Sequence, residues 1–327
     1  KFLEHVPGDV RARENLVGAL ARQQKYVEAL EQAKALVSAQ EPQPQHQIGY
    51  MLLLLLDNQY KEADLAVPTS GAPFLGTLLR AVARQGMGEP YLPLLESMDS
   101  VEGDLDQECD EILGGVLYLF GKEQTGDYFM RFINGCRDQG VQTRAANLIE
   151  ARMLLHLEQP DAAVTLLSDT LEKFGPEKWT HYYLAMACEE LKRIPETETH
   201  LKAYLKLEPN DAEALNFLGY LYAENGIQLD EAEALIKRAL EIEPQNGFYL
   251  DSLGWVYYQK GKAELAIENI QKAIALSDSD DSELRNHLGD AYWLNGDKQK
   301  ALDEWKRALR LNPKIEGVEE KIQKQQK

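Results

Sequence analysis

The sequence is poor in the residues that most chemistry needs. Its three cysteines, Cys109, Cys136 and Cys188, are odd in number and far apart, which excludes a disulfide framework and a C-x-x-C metal site. Each is expected to act as a small buried apolar residue. The six histidines, His5, His46, His156, His181, His200 and His287, form no pair spaced for one helix face. His181 and His287 are expected to make surface or groove contacts. There is no G-x-x-x-x-G-K-[ST] phosphate loop, H-E-x-x-H zinc helix, G-x-S-x-G nucleophile elbow or G-x-G-x-x-G dinucleotide turn, so no catalytic residue, cofactor or metal site is assigned. Paired carboxylates such as Glu189-Glu190 are those of solvated helix faces.

Long apolar runs are also missing. The longest, Met51 to Leu56, falls far short of the roughly 20 residues that span a bilayer, so this segment is not expected to insert in a membrane. It reads instead as a buried helix. Basic residues are in deficit, 35 against 54 acidic for a net charge of −19, which opposes binding to nucleic acid because neutralising phosphates needs clustered Lys and Arg. Such a charge serves solubility or attracts cationic proteins, and composition does not choose between them.

What is present is a repeat. Leu218-Gly219-x-x-Tyr222, Leu253-Gly254-x-x-Tyr257 and Leu288-Gly289-x-x-Tyr292 follow one another at 35-residue intervals. A period of that length denotes stacked helical hairpins, each of which buries its apolar face only against its neighbours. In one unit, Leu250, Leu253, Val256 and Tyr257 mark a helix A, Gly261-Lys262 breaks it, and Ala266, Ile270, Ala273 and Ile274 mark a helix B. Ala266 is small enough to lie against Gly254. Prolines at 209, 244 and 313 close the units, since proline cannot continue a helix.

These residues resemble the tetratricopeptide repeat family, whose pattern is W-x2-L-G-x2-Y…A-x3-F…P. Three units from Asp211 to Pro313 carry it, for example Gly254, Tyr257, Gly261, Ala266, Ile270 and Ala273. Two departures fall in turns: an extra residue in Asn225 to Ala232, and the acidic stretch Ser277 to Asp281 in place of proline. Residues 141–210 read as divergent repeats, and 9–140 as degenerate hairpins with family-like helix B openings at Tyr26 to Leu30 and Tyr60 to Ala63. Residues 1–8 read as the end of a preceding repeat, and 314–327, with Ile315, Val318 and Ile322 on one face, as a capping helix or tail. The implied fold is all-α, a right-handed α-solenoid of about nine helix-turn-helix hairpins with a C-terminal capping helix.

The resemblance implies a non-catalytic scaffold whose helices A line a groove for a peptide or partner protein. Positions one to four residues off the Leu-Gly stripe are Asn216, Tyr220 and Glu224; Asp251, Trp255, Tyr258 and Gln259; and Asn286, Asp290 and Trp293. The preceding unit adds Trp179, Tyr182, Met186, Glu189 and Glu190. Aromatic anchors with carboxylates beside them favour a basic partner, and the absence of Lys and Arg from these positions disfavours capture of a peptide's terminal carboxylate. Self-association as a spacer, or a catalytic part outside this chain, are the alternatives. A narrower resemblance to bacterial members, carried by Asn225-Gly226-Ile227, Leu250 to Trp255 and His287 to Trp293, implies the cell envelope or periplasm, with the cytoplasm as the alternative.

Overall fold

The computed structural model describes residues 9–38, 44–66, 73–98, 143–277 and 279–325, together with Asn134 and Arg137. Among these residues there are seventeen helices and no strand. The fold is an all-α array of helical hairpins. It divides into two compact units, Lys1–Leu191 and Lys192–Lys327. Expectations for residues 1–8, for Cys109 and Cys136, and for most of the stretch 99–140 of the degenerate hairpins lie outside the described residues.

The first unit contains α1 (Val10–Arg22), α2 (Tyr26–Val37), α3 (Pro44–Leu56), α4 (Tyr60–Leu65), α5 (Pro73–Met87), α6 (Leu92–Met98), α7 (Arg144–His156), α8 (Pro160–Phe174) and α9 (Lys178–Glu190). Asp9 starts α1 by accepting the Ala12 N–H at 2.7 Å, and Thr143 starts α7 by accepting the Ala146 N–H at 3.2 Å. The apolar run on α3 is buried from Met51 to Leu55, as its all-round hydrophobicity requires. Small residues again mark where helices meet: Ala63 is fully buried, and a Cβ on Gly86 would lie 2.6 Å from the Tyr60 ring.

In the second unit the period is visible atom by atom. It contains α10 (Ile194–Leu207), α11 (Ala212–Glu224), α12 (Leu229–Ile242), α13 (Gly247–Gln259), α14 (Ala263–Leu276), α15 (Ser282–Leu294), α16 (Lys298–Leu311) and α17 (Val318–Gln325). Asp211, Asn246 and Asp281, 35 residues apart, cap α11, α13 and α15 by accepting backbone N–H groups of the first turn. Gly226, Gly261 and Gly296, at the same interval, take φ of +64°, +70° and +86° to turn the chain from helix A into helix B. The extra residue at the first of these turns is absorbed by Gln228, in the left-handed conformation at φ +47°. The acidic turn before α15 is bonded on both sides. Asp281 caps, while Asp280 accepts Arg285 and Arg307, each at 2.6 Å, and its carboxyl is thereby held below its usual range despite burial pushing the other way.

Each hairpin closes on a glycine. A Cβ on Gly219 would meet Ile236 Cγ1 at 2.5 Å, and one on Gly254 would meet Ile270 Cγ1 at 2.6 Å and the Ala266 carbonyl at 3.2 Å; Gly289 faces Trp305 in the same way. Hydrogen bonds tie each helix A to the helix B before it: Tyr222 donates to Glu198 at 2.9 Å, Tyr257 to Glu233 at 3.3 Å, and Gln271 donates to Tyr292 at 2.9 Å. Lys237 and Lys260 on either side of Glu233 pull its carboxyl down to about 2. At the C-terminus Ile315, Val318 and Ile322 are buried where α17 packs on α16, so this end of the array is covered by a helix with a polar outer face.

The glycine contact sets the first prediction. Gly254→Val forces two methyl groups against Ile270 and the Ala266 backbone, and is expected to lower stability by about 1–3 kcal/mol, read as a fall in the urea midpoint followed by circular dichroism. An unchanged midpoint would contradict the close approach.

Candidate functional site: a cleft across three helices A

The helices α11, α13 and α15 pack in sequence along the second unit, and a cleft of about 380 Å³ runs across the middle of α11 and the N-terminal halves of α13 and α15. Asn216 and Tyr220 line it from α11, and Phe248, Asp251 and Ser252 from α13. Asp281, the cap of α15, contributes with Glu283, Leu284 and His287 from that helix. Phe248 is the most unusual of these. It is 81% exposed, a large apolar side chain held in water at the rim by the first turn of α13.

At the floor, Asp251 and His287 join α13 to α15. The His287 Nδ1 lies 2.9 and 3.1 Å from the two carboxylate oxygens, and both residues are buried. The Trp255 ring stacks on this imidazole at 4.4 Å between centroids and on the Tyr258 ring at 4.6 Å. Burial disfavours the charged imidazole, but the Asp251 carboxylate, with Asp290 and Glu283 nearby, outweighs it and holds His287 above its ordinary range. Tyr258 is pushed up by burial, with Asp290 adding to it. Two polar atoms in this region are closed off from solvent without a hydrogen-bond partner, Asn216 Oδ1 and Trp255 Nε1.

The structure distributes the expected groove residues unevenly. Asn216, Tyr220 and Asp251 come together in the cleft. Trp255, Tyr258, Gln259, Asn286 and Trp293 are half-buried beside or beyond it, and Glu224 is exposed at the far end of α11. Trp293 lies 5.7 Å from Trp305 with the Lys298 ammonium over its face at 5.3 Å. In the first unit two anchors need correction. Trp179 and Tyr182 are 8% and 5% exposed, packed edge to face with each other and in contact with the Tyr183 ring, because α9 is buried on most of its surface, Thr180 and His181 included. Met186 offers its sulfur to Arg152 at 3.4 Å, and Glu189 is half-buried.

The acidic residues also need correction. Asp251 is matched by His287, and Asp290 accepts from Trp305 Nε1 at 3.0 Å and from Lys321 at 2.7 and 2.8 Å. The helix A face does not lack lysine, since Lys321 reaches it from α17 and also bonds Asn286 at 2.8 Å. His287 is a groove contact, as one half of the expectation had it, but a buried one, paired with Asp251. Phe248, Ser252, Asp281, Glu283 and Leu284 were missed because the projection was centred on the Leu-Gly stripe, whereas the cleft sits one turn nearer the N-termini. Their sequence signal was the cap series at 211, 246 and 281, which marks where those N-termini begin.

Residues 195–247 and 252–314 match the family model described as Tetratricopeptide repeat, just over a third of the chain, and they include most of the cleft lining, though not Phe248 or Asp251. The matched residues are tetratricopeptide repeats. No curated protein matches it. The crystal structure of the APC/C hetero-tetramer Cut9–Hcn1 is similar over 95% of this chain and 76% of its own at 14% identity, with a TM-score of 0.54, a likeness of fold. The thermophilic TPR protein TTC0263 of Thermus thermophilus is 22% identical over 56% of this chain and 98% of its own (TM-score 0.47), and MamA of Desulfovibrio magneticus is 19% identical over 59% and 97% (TM-score 0.43). Among the described residues, no group of His, Cys, Asp and Glu is placed to hold a metal, and no helix is long and apolar enough to cross a membrane.

The His287 pair carries a pH signature. The folded state binds this proton more tightly than the unfolded chain does, so the stabilisation is complete below the ordinary histidine value and is lost as pH rises through the raised one. Thermal melts from about pH 6 to pH 9 should show the wild type losing more stability than Asp251→Asn, in which the imidazole has no carboxylate partner. Parallel pH profiles for the two proteins would show that the pair does not hold the proton.

Proposed function

We propose that this chain is a non-catalytic protein-interaction scaffold that holds a segment of a partner protein in the cleft across α11, α13 and α15. One observation carries the reading: Phe248, 81% exposed, stands at the rim of an open cleft assembled from three successive repeats. An aromatic ring kept in water gains most when a partner covers it, and such rings are favoured interface anchors. The floor is rigid where the ligand would lie, since Asp251, His287 and Trp255 are locked by pairing and stacking. A preformed surface reduces the ordering cost of binding. Tetratricopeptide-repeat proteins are generally interaction modules, which agrees with this use of the array.

The test is a capture experiment from the native source with the whole chain as bait, in wild-type and Phe248→Asp forms. Phe248 contributes little to the core, so the variant is expected to fold normally by circular dichroism. A protein retained by the wild type and lost by Phe248→Asp, with its affinity reduced at least tenfold on titration, is the expected outcome. Equal retention of every captured protein would remove the cleft from the account.

A further inference from the structure

We infer that the cleft is matched to a chain segment carrying a lysine or arginine next to a bulky apolar side chain. This rests on the reading of the cleft as a docking site and adds what docks there. Of the three lining carboxylates, only Asp251 is in an ion pair among the described residues, with His287. Asp281 uses one oxygen to cap α15, at 2.8 and 3.0 Å from two backbone N–H groups, and neither Asp281 nor Glu283 is in an ion pair among the described residues. No Lys or Arg lines the cleft. The nearby Arg285 is held away by Asp280 and Glu304, at 2.6 and 3.2 Å.

Carboxylates in the first turn of a helix also complement its dipole, which alone would explain Asp281 and Glu283. A further observation points to a ligand. The positions one period either side of Phe248 are Glu213 and Glu283, so an exposed aromatic ring stands where its neighbours present acid. A ring flanked by carboxylates suits a cation over its face and an aliphatic group against its edge, with Leu284 as the second apolar contact. An anionic segment would meet repulsion from Asp281 and Glu283.

The experiment is selection of a displayed random dodecapeptide library on the immobilised full-length chain, followed by resynthesis of an enriched peptide for fluorescence anisotropy. Enriched sequences are expected to place Lys or Arg within three positions of Leu, Ile, Met or an aromatic residue. Binding should weaken roughly three- to tenfold in Asp281→Asn with Glu283→Gln, a pair that removes charge while asparagine preserves the cap, and should weaken further in about 0.5 M salt. Acidic or uncharged peptides that nonetheless lose affinity in Phe248→Ala would overturn this inference and leave the docking reading standing. Peptides indifferent to all three substitutions, or no enrichment over empty resin, would overturn both.

Discussion

The structure of the second unit depends on a helix A coming so close to its own helix B that no side chain fits between them. At Gly219 and Gly254 the space a Cβ would take is filled by Ile236 and Ile270, and at Gly289 by Trp305. Hairpins closed this tightly present flat, apolar outer faces, and the next hairpin covers them. The tyrosine three residues after each glycine then reaches back to the preceding helix B, which fixes the step from one repeat to the next. The same spacing recurs in caps, turns and braces because each repeat must solve the same packing problem.

Function follows from what this stacking leaves over. Most polar groups on the helix A face are consumed between neighbouring helices: Asp251 with His287, and Asp290 and Asn286 with Lys321. These contacts stiffen the surface and withdraw its charge from any ligand. What stays open is the shelf at the N-terminal ends of α13 and α15, where Phe248, Asp281 and Glu283 have no such partner helix. The open surface is therefore narrower than the full face of the array, and it is acidic and aromatic for reasons of position.

The hairpins were legible in the sequence because glycine, alanine and tyrosine recur at fixed places, and the apposition of Ala266 with Gly254 could be stated in advance. Burial of α17 was legible from Ile315, Val318 and Ile322 on one face. The site was legible only in part. Pairings such as Asp251 with His287 and Asp290 with Lys321 link residues about one period apart on different helices, and nothing local to either residue announces them. Trp179 and Tyr182 misled because α9 is buried on most of its surface, polar Thr180 and His181 included, so that an aromatic residue there has little outward side. Phe248 could have been found from the cap at Asn246, two residues before it, which fixes it in the first and most exposed turn of α13.

The central claim is that each hairpin is an interchangeable unit held by its neighbours. It is tested by deleting one whole period, residues 247–281, so that Asn246 takes the place of Asp281 as the cap of α15. The account predicts a shortened chain that still unfolds cooperatively, with helical content per residue unchanged and a lower midpoint in urea. A shortened chain without cooperative unfolding, or with its helicity collapsed beyond the deleted residues, would contradict it.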